Sequence, residues 1–124
     1  MQRSLILSSM KDTIQFGQLL AENVVAGDTV LLSGDVGVGK TALARSCIQA
    51  RLSEIGAMED VPSPTYTLVQ VYDLTTTQIW HADLYRLNSI DELYELGLDQ
   101  AFDESICLIE WPNLLGSLRP EGAL

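Results

Sequence analysis

The segment Gly34–Thr41 (GDVGVGKT) constrains the fold of this chain more than any other feature of its sequence. It fits the pattern G-x-x-x-x-G-K-[ST], a phosphate-binding loop that joins a strand to a helix. Both neighbours are predicted here. Thr29–Ser33 is a β-branched and aliphatic run typical of a strand buried on both faces. Ala42–Ile55 has the composition of a helix that ends at Gly56. The context therefore favours a functional phosphate loop over an ordinary glycine-rich turn.

Each residue type in this loop suits the binding of phosphate for a physical reason. Gly34, Gly37 and Gly39 allow backbone conformations closed to other residues and bring main-chain amides close to phosphate oxygens. These amides and the positive end of the following helix form an anion site. Lys40 is predicted to reach the β- and γ-phosphates, and the Thr41 hydroxyl to ligate Mg²⁺. We therefore expect a nucleoside triphosphate at this turn.

The rest of the chain alternates predicted helices and strands. A helix opens near Ser9, with an apolar face formed by Ile14, Phe16, Leu19, Leu20 and Val24. Ser89 and Glu92 open a short helix that ends at Gly97. The predicted strands are a possible edge strand Ser4–Ser8, a hairpin of Thr67–Tyr72 with Gln78–Ala82, and Ser105–Glu110. This order predicts a single α/β domain over residues 1–124, with a P-loop NTPase-like central sheet flanked by helices.

Two predicted strands end on acids, which a nucleotide hydrolase needs for its metal and its water. Glu110 follows an apolar strand, the arrangement expected of a metal ligand at the carboxyl end of a sheet. For Asp83, a site role and a solvated surface position both stay open. His81 lies two residues before Asp83, on the same strand face. A satisfied, partly buried histidine is favoured over a catalytic His–Asp pair.

Composition excludes some partners. Seven basic and seventeen acidic residues give a formal net charge of −10, so the chain should be repelled by nucleic-acid backbones and anionic membranes. The two cysteines, Cys47 and Cys107, are far apart in sequence and are typical of small buried residues in a reducing compartment. No stretch has the length of a signal or membrane segment, so we expect a cytoplasmic protein. A basic protein partner or a metal-screened anionic ligand fits this charge better than direct contact with nucleic acid or a membrane does.

Four segments, in order, give the chain a resemblance to a known family. They are GDVGVGKT (Gly34–Thr41), SPTYTL (Ser63–Leu68), HADLYRL (His81–Leu87), and ELGL with CLIEWP (Glu95–Leu98 and Cys107–Pro112). The sequence resembles the bacterial TsaE (YjeE) ATPases of tRNA threonylcarbamoyladenosine biosynthesis over essentially its whole length. Relative to the family pattern the chain ends soon after CLIEWP, so the resemblance predicts a sheet that lacks C-terminal strands.

The resemblance implies a small protein that binds ATP (or ADP) with Mg²⁺ and hydrolyses ATP slowly by direct attack of water. It would support threonylcarbamoylation of adenosine 37 in tRNAs that read codons beginning with A. It would act through TsaB- and TsaD-type subunits of the threonylcarbamoyl transferase complex and touch tRNA only indirectly. Two alternatives stay open: a small-molecule kinase, and a non-catalytic scaffold whose assembly depends on nucleotide.

The resemblance also implies roles for individual residues. Thr41 and Glu110 would ligate Mg²⁺, and Lys40, Asp83 and Thr65 would take part in hydrolysis, with Thr65 as a switch threonine. Trp111 matches a tryptophan near the nucleotide, although a hydrophobic cover for the end of the sheet is an equal interpretation. The residues expected to bind the nucleotide are Gly34, Gly37, Val38, Gly39, Lys40, Thr41, Ala42 and Trp111.

Overall fold

The computed structural model describes residues 10–32, 39–57, 59–64, 67–118 and 120. Its helices are α1 (Met10–Asn23), α2 (Lys40–Glu54), α3 (Asp91–Leu96) and α4 (Leu98–Glu104). Its strands are β1 (Thr29–Leu32), β2 (Val69–Asp73), β3 (Gln78–Asp83) and β4 (Ile106–Glu110), and a 3₁₀ segment follows at Pro112–Leu118. The predicted edge strand Ser4–Ser8 lies outside the described residues.

The four strands form one mixed sheet in the order β1-β4-β3-β2. β4 lies between β1 and β3 and runs parallel to both, and β2 pairs antiparallel with β3 as the predicted hairpin. All five residues of β4 are buried, as expected for a central strand with both faces covered. The prediction of a P-loop NTPase-like α/β fold is confirmed, with the strand that precedes the loop next to the strand that ends on Glu110.

Alternation along the strands divides the core between the two faces of the sheet. Ile79, Ile106 and Leu108 pack in one cluster with buried side chains of α1 and α2. Ala82 and Ile109 pack in the other cluster with buried side chains of α3 and α4. Since His81, Asp83 and Glu110 share strand parity with the first set, their side chains are on the face that α2 covers.

Helices α1 and α2 pack closely because α1 has a glycine at the contact. A Cβ built on Gly17 would lie 2.7 Å from the carbonyl oxygen of Leu43 and 2.7 Å from the Cβ of Ser46. The Ser46 hydroxyl donates to the Ile14 carbonyl at 2.7 Å. The Arg51 guanidinium donates to the carbonyls of Ala21 (3.1 Å) and Val24 (2.8 Å), which supplies partners at the end of α1.

The predicted apolar face of α1 is partly wrong. Leu20, Phe16 and Val24 pack on the core as predicted, but Ile14 is 41% exposed and Leu19 is 54% exposed. The close approach at Gly17 rotates the helix so that small and polar residues face α2. The pattern of hydrophobic residues does not predict this orientation, because the close backbone contact depends on a glycine, which has no side chain.

The Ser89 and Glu92 start signal is confirmed. Glu92 Oε1 accepts the backbone N–H of Ser89 at 3.2 Å, and Ser89 Oγ accepts the N–H of Asp91 at 3.2 Å. Helix α3 ends at Gly97 as predicted, with a left-handed φ of 85°. Helix α4 was not predicted from the sequence; it starts directly after this glycine and buries Leu98, Ala101 and Phe102 at helical spacing. Among the described residues no helix combines the length and apolar character needed to cross a bilayer.

Candidate functional site

The candidate site lies at the carboxyl edge of the parallel strands. Leu32 of β1 is in register with Glu110 of β4, and Glu110 is in register with Asp83 of β3. In the chain, the phosphate-loop sequence connects the end of β1 to the start of α2. Since parallel strands end together, two acids separated in sequence come to one edge, where open α/β sheets bind ligands.

Helix α2 begins at Lys40, directly after a glycine in a left-handed conformation. Gly39 has φ 87° and ψ 19°, a combination that residues with a Cβ rarely adopt. The turn places Lys40 and Thr41 in the first turn of the helix, close to the sheet edge. Thr41 Oγ1 donates to Glu110 Oε1 at 2.9 Å. The loop lysine and hydroxyl are therefore next to the acid that ends β4.

Glu110 is 2% exposed and uses both carboxylate oxygens. Oε1 accepts the Thr41 hydroxyl, and Oε2 lies 2.7 Å from Nε2 of His81. A buried carboxylate is costly unless it is paired and hydrogen-bonded. These contacts supply the partners that a buried acid needs at this edge of the sheet.

The oxygen donors of Thr41 and Glu110 fit Mg²⁺. This ion prefers oxygen ligands and usually binds through one or two protein groups plus phosphate oxygens and water. No group of three or more His, Cys, Asp or Glu able to hold a metal occurs among the residues that the structure describes. Thr41 and Glu110 would supply two protein ligands to a Mg²⁺ ion, and phosphate oxygens and water would complete its coordination.

Lys40 lies against the aromatic residue that follows β4. Its Nζ is 3.4 Å from the centroid of the Trp111 ring, and Trp111 in turn contacts Tyr85 with ring centroids 5.0 Å apart. Trp111 has φ 60°, a left-handed conformation that costs free energy in a bulky residue and clusters at functional sites. The tryptophan thus contacts the side chain of the phosphate-loop lysine and also covers the end of the sheet.

Asp83 is a buried acid, 5% exposed, at the end of β3. Its Oδ1 accepts the backbone N–H of Tyr85 at 3.0 Å, which holds the carboxylate in a tight turn. Its backbone N–H donates to the Leu68 carbonyl at 2.9 Å. The sequence left two interpretations of Asp83 open, and the one that placed it on the solvated surface is wrong. Asp83 faces the same edge as Glu110.

The structure brings five of the predicted site residues together: Lys40, Thr41, Asp83, Glu110 and Trp111. Gly39 and Ala42 flank them at the start of α2. The remaining predicted residues lie outside the described part of the chain: Gly34, Gly37, Val38 and Thr65.

The contact of His81 with this site was not predicted from the sequence. Partial burial was predicted, and the side chain is completely buried, with 0% exposure. Its hydrogen bond to Glu110 was not predicted, because the two residues are 29 positions apart. The available signal was the shared strand parity of His81 and Asp83, which places the imidazole on the same face as the strand-end acids.

A cavity of about 570 Å³ opens elsewhere, beside α1, α2 and the residues that follow α2. Its lining includes Ile14, Arg45, Gln49 and Glu59. Of the predicted site residues that the structure describes, only Ala42 contributes to it. Thr41 and Glu110 are not among the described residues that line this cavity.

Comparison with known proteins identifies the family. The sequence model of the family described as "Threonylcarbamoyl adenosine biosynthesis protein TsaE" matches residues 7–124. The chain belongs to the TsaE family. Relatives named tRNA threonylcarbamoyladenosine biosynthesis protein TsaE include that of Rickettsia typhi, 39% identical over 112 residues, covering 90% of this chain and 76% of the relative. The TsaE of Haemophilus influenzae is 41% identical over 114 residues, covering 87% of this chain and 70% of the relative.

A solved structure agrees at the level of the fold. The crystal structure of Bacillus subtilis YdiB superimposes with a TM-score of 0.68, covering 95% of this chain and 70% of that chain at 24% identity. The family membership predicted from the four TsaE-like segments is confirmed, and with it the P-loop NTPase-like fold.

Proposed function

We propose that this protein binds ATP with Mg²⁺ at the carboxyl edge of its sheet and hydrolyses it slowly. In this proposal, the nucleotide cycle supports threonylcarbamoylation of adenosine 37 in tRNAs that read codons beginning with A. The observation that carries the proposal is the 2.9 Å hydrogen bond between Thr41 Oγ1 and Glu110 Oε1, beside Lys40. It joins the phosphate loop to a strand-end acid, the pairing a metal-dependent phosphoryl-transfer site requires.

The mechanism assigns each side chain a task. Thr41 and Glu110 would hold Mg²⁺, which would supply positive charge against the phosphate oxygens. Lys40 would leave the Trp111 ring and bind the β- and γ-phosphates as a point charge. Asp83, fixed by the Tyr85 N–H, would orient the attacking water or accept its proton. Thr65 is proposed to respond to the γ-phosphate by ordering its loop. The bond to the leaving ADP would break as water attacks, with no covalent intermediate on the protein.

The charge of the chain supports indirect contact with tRNA. A formal net charge of −10 opposes binding to a phosphate backbone. Helices α3 and α4 carry exposed acids, including Asp91, Glu95, Asp103 and Glu104. We propose that the protein acts through TsaB- and TsaD-type subunits of the transferase complex, in the cytoplasm, as one domain over residues 1–124.

Turnover of ATP without any acceptor tests the proposed activity. Phosphate release from Mg-ATP is measured for the wild type and for Lys40→Ala and Glu110→Ala. We expect both variants to lose turnover by about 100-fold or more, because each removes a group that stabilises transition-state charge. Lys11→Ala is the matched control, since Lys11 is exposed on α1.

Two outcomes would contradict the proposal. Undiminished turnover in both Lys40→Ala and Glu110→Ala would remove the mechanism. Phosphate transfer only after an added small-molecule hydroxyl would identify a kinase. The role in tRNA modification is tested separately, by asking whether Asp83→Ala restores threonylcarbamoyladenosine in cells that lack their own TsaE. If the Asp83→Ala variant restores the modified nucleoside, the protein acts as a nucleotide-dependent scaffold.

A further inference from the structure

The buried contact between His81 and Glu110 is not needed to explain the fold. Nε2 of His81 lies 2.7 Å from Oε2 of Glu110, and both side chains are almost completely buried. The residue on β4 in register with His81 is Leu108, so the imidazole reaches along the sheet toward the strand end. An apolar side chain would fill this position in the core more cheaply than an imidazole would.

The hydrogen bonds of the imidazole indicate which nitrogen carries the proton. Nδ1 is buried and has no hydrogen-bond partner among the residues that the structure describes. A proton on Nδ1 would leave a buried donor unpaired, which is costly, whereas a bare Nδ1 costs less. The tautomer that fits therefore carries its hydrogen on Nε2 and donates it to the carboxylate of Glu110.

We infer that His81 is a positioning residue, which holds the Glu110 carboxylate in the orientation that lets it ligate Mg²⁺ together with Thr41. This inference rests on the proposed function, since it concerns the metal of that site. With Oε2 held by the imidazole, rotation of the carboxylate is restricted and Oε1 is directed at the Thr41 hydroxyl. Outer groups that orient metal ligands in this way typically change metal affinity by about 10–100-fold when they are removed.

The burial of His81 separates this role from a direct one. The imidazole is 0% exposed, and its ring nitrogen toward the site is occupied by Glu110. His81 therefore acts through Glu110 and not on the reacting atoms.

The experiment measures how much Mg²⁺ strengthens nucleotide binding. Calorimetry gives the affinity of the full chain for ADP in excess EDTA and in excess Mg²⁺, and the ratio of the two is the metal enhancement. The variants are His81→Leu, which fills the space without a donor, and His81→Gln, whose amide nitrogen reaches the position of Nε2. Thermal unfolding is recorded for each variant, so that a loss of folding is recognised.

We expect His81→Leu to lower the metal enhancement about 10–100-fold while binding in EDTA stays within threefold of wild type. His81→Gln should restore most of the enhancement. A purely structural role would lower both affinities together, and the glutamine would not selectively restore the metal effect. An enhancement within threefold of wild type in folded His81→Leu would overturn the inference.

A second pair covers the case in which His81→Leu does not fold. His81→Asn carries the same amide as His81→Gln but places its nitrogen near Nδ1, too short to reach Glu110. Equal metal enhancement in the asparagine and glutamine variants would also overturn the inference. If instead the wild type itself shows no metal enhancement, the proposed magnesium site fails, and this result is distinct from a failure of the His81 variants alone.

Discussion

The Nζ of Lys40 lies 3.4 Å from the centre of the Trp111 ring, so the phosphate-loop lysine of this protein is paired with an aromatic face. Such a contact is worth about 0.5–2 kcal/mol, depending on how far it is desolvated. Phosphate oxygens compete for the same ammonium group, since a charge-assisted hydrogen bond is stronger than the ring contact. Binding of a nucleotide should therefore separate the lysine from the tryptophan.

Trp111 should report this movement by its fluorescence. In a Trp80→Phe background Trp111 is the remaining tryptophan of the two in the sequence, and Mg-ATP should change its emission saturably as the ammonium leaves the ring. The control adds Lys40→Met to this background. In this variant no ammonium lies on the Trp111 ring before the nucleotide binds, so the Trp111 emission should barely respond. Calorimetric binding of Mg-ATP with unchanged Trp111 emission would contradict the prediction.

Asp83→Asn should separate nucleotide binding from hydrolysis. The asparagine keeps an oxygen for the Tyr85 N–H but loses the charge, so the turn should remain while proton acceptance is lost. We expect turnover to fall by about 100–10,000-fold, with Mg-ATP affinity changed by no more than about threefold. Phosphate release and calorimetry measure the two effects.

The matched control for Asp83→Asn is Asp73→Asn. Asp73 Oδ1 accepts the N–H of Thr75 at 3.1 Å, the same two-residue turn on an exposed hairpin away from the site. This variant should keep wild-type turnover. Equal turnover in Asp83→Asn and Asp73→Asn would remove Asp83 from the mechanism.

Gly17→Ala should destabilise the protein although it replaces a glycine inside a helix. The added Cβ would lie 2.7 Å from the Leu43 carbonyl oxygen, and overpacking of this kind costs about 1–3 kcal/mol. Alanine returns about 0.5–1 kcal/mol of helix propensity, so we expect a net fall of about 1 kcal/mol in the free energy of unfolding. Urea denaturation measures it, with Gln18→Ala, an exposed neighbour, as control. A stabilised Gly17→Ala variant would show that α1 and α2 are further apart.

The buried thiols should make stability fall in alkaline solution. Burial raises the pKa of Cys47 from 9.0 to about 11 and that of Cys107 from 9.0 to about 12. Above pH 9 the unfolded chain therefore loses protons that the folded chain retains, so the free energy of unfolding decreases as pH rises. Each thiol contributes a slope of about 1.4 kcal/mol per pH unit between its two pKa values.

Comparison with a Cys47→Ala variant isolates one thiol. Urea denaturation between pH 9 and about 10.5 should give a shallower decline for Cys47→Ala than for the wild type, by about 1.4 kcal/mol per pH unit. Other groups that titrate in this range are common to both proteins and cancel in the difference. Equal slopes would mean that Cys47 is accessible to solvent in the folded chain.

Much of the site could be predicted from local sequence. The strand before the loop, the helix after it, the hairpin and the strand ending on Glu110 each depend on the residues of one segment, and the structure confirms them. The glycine at position 39 also indicates the left-handed conformation that the structure shows there. The rotation of α1 and the existence of α4 were not predicted, because they depend on a close backbone contact at Gly17 and on burial of Leu98 and Phe102.

The sequence by itself determined which reactive groups are available at the ends of the predicted elements: a lysine, a hydroxyl and two acids. Only the tertiary structure decided which of them meet. Thr41 and Glu110 are 69 residues apart in sequence, and His81 and Glu110 are 29 apart. Their contacts follow from a strand order in which β4 lies between β1 and β3. That order arises from the joint burial of both sheet faces, which no single segment encodes.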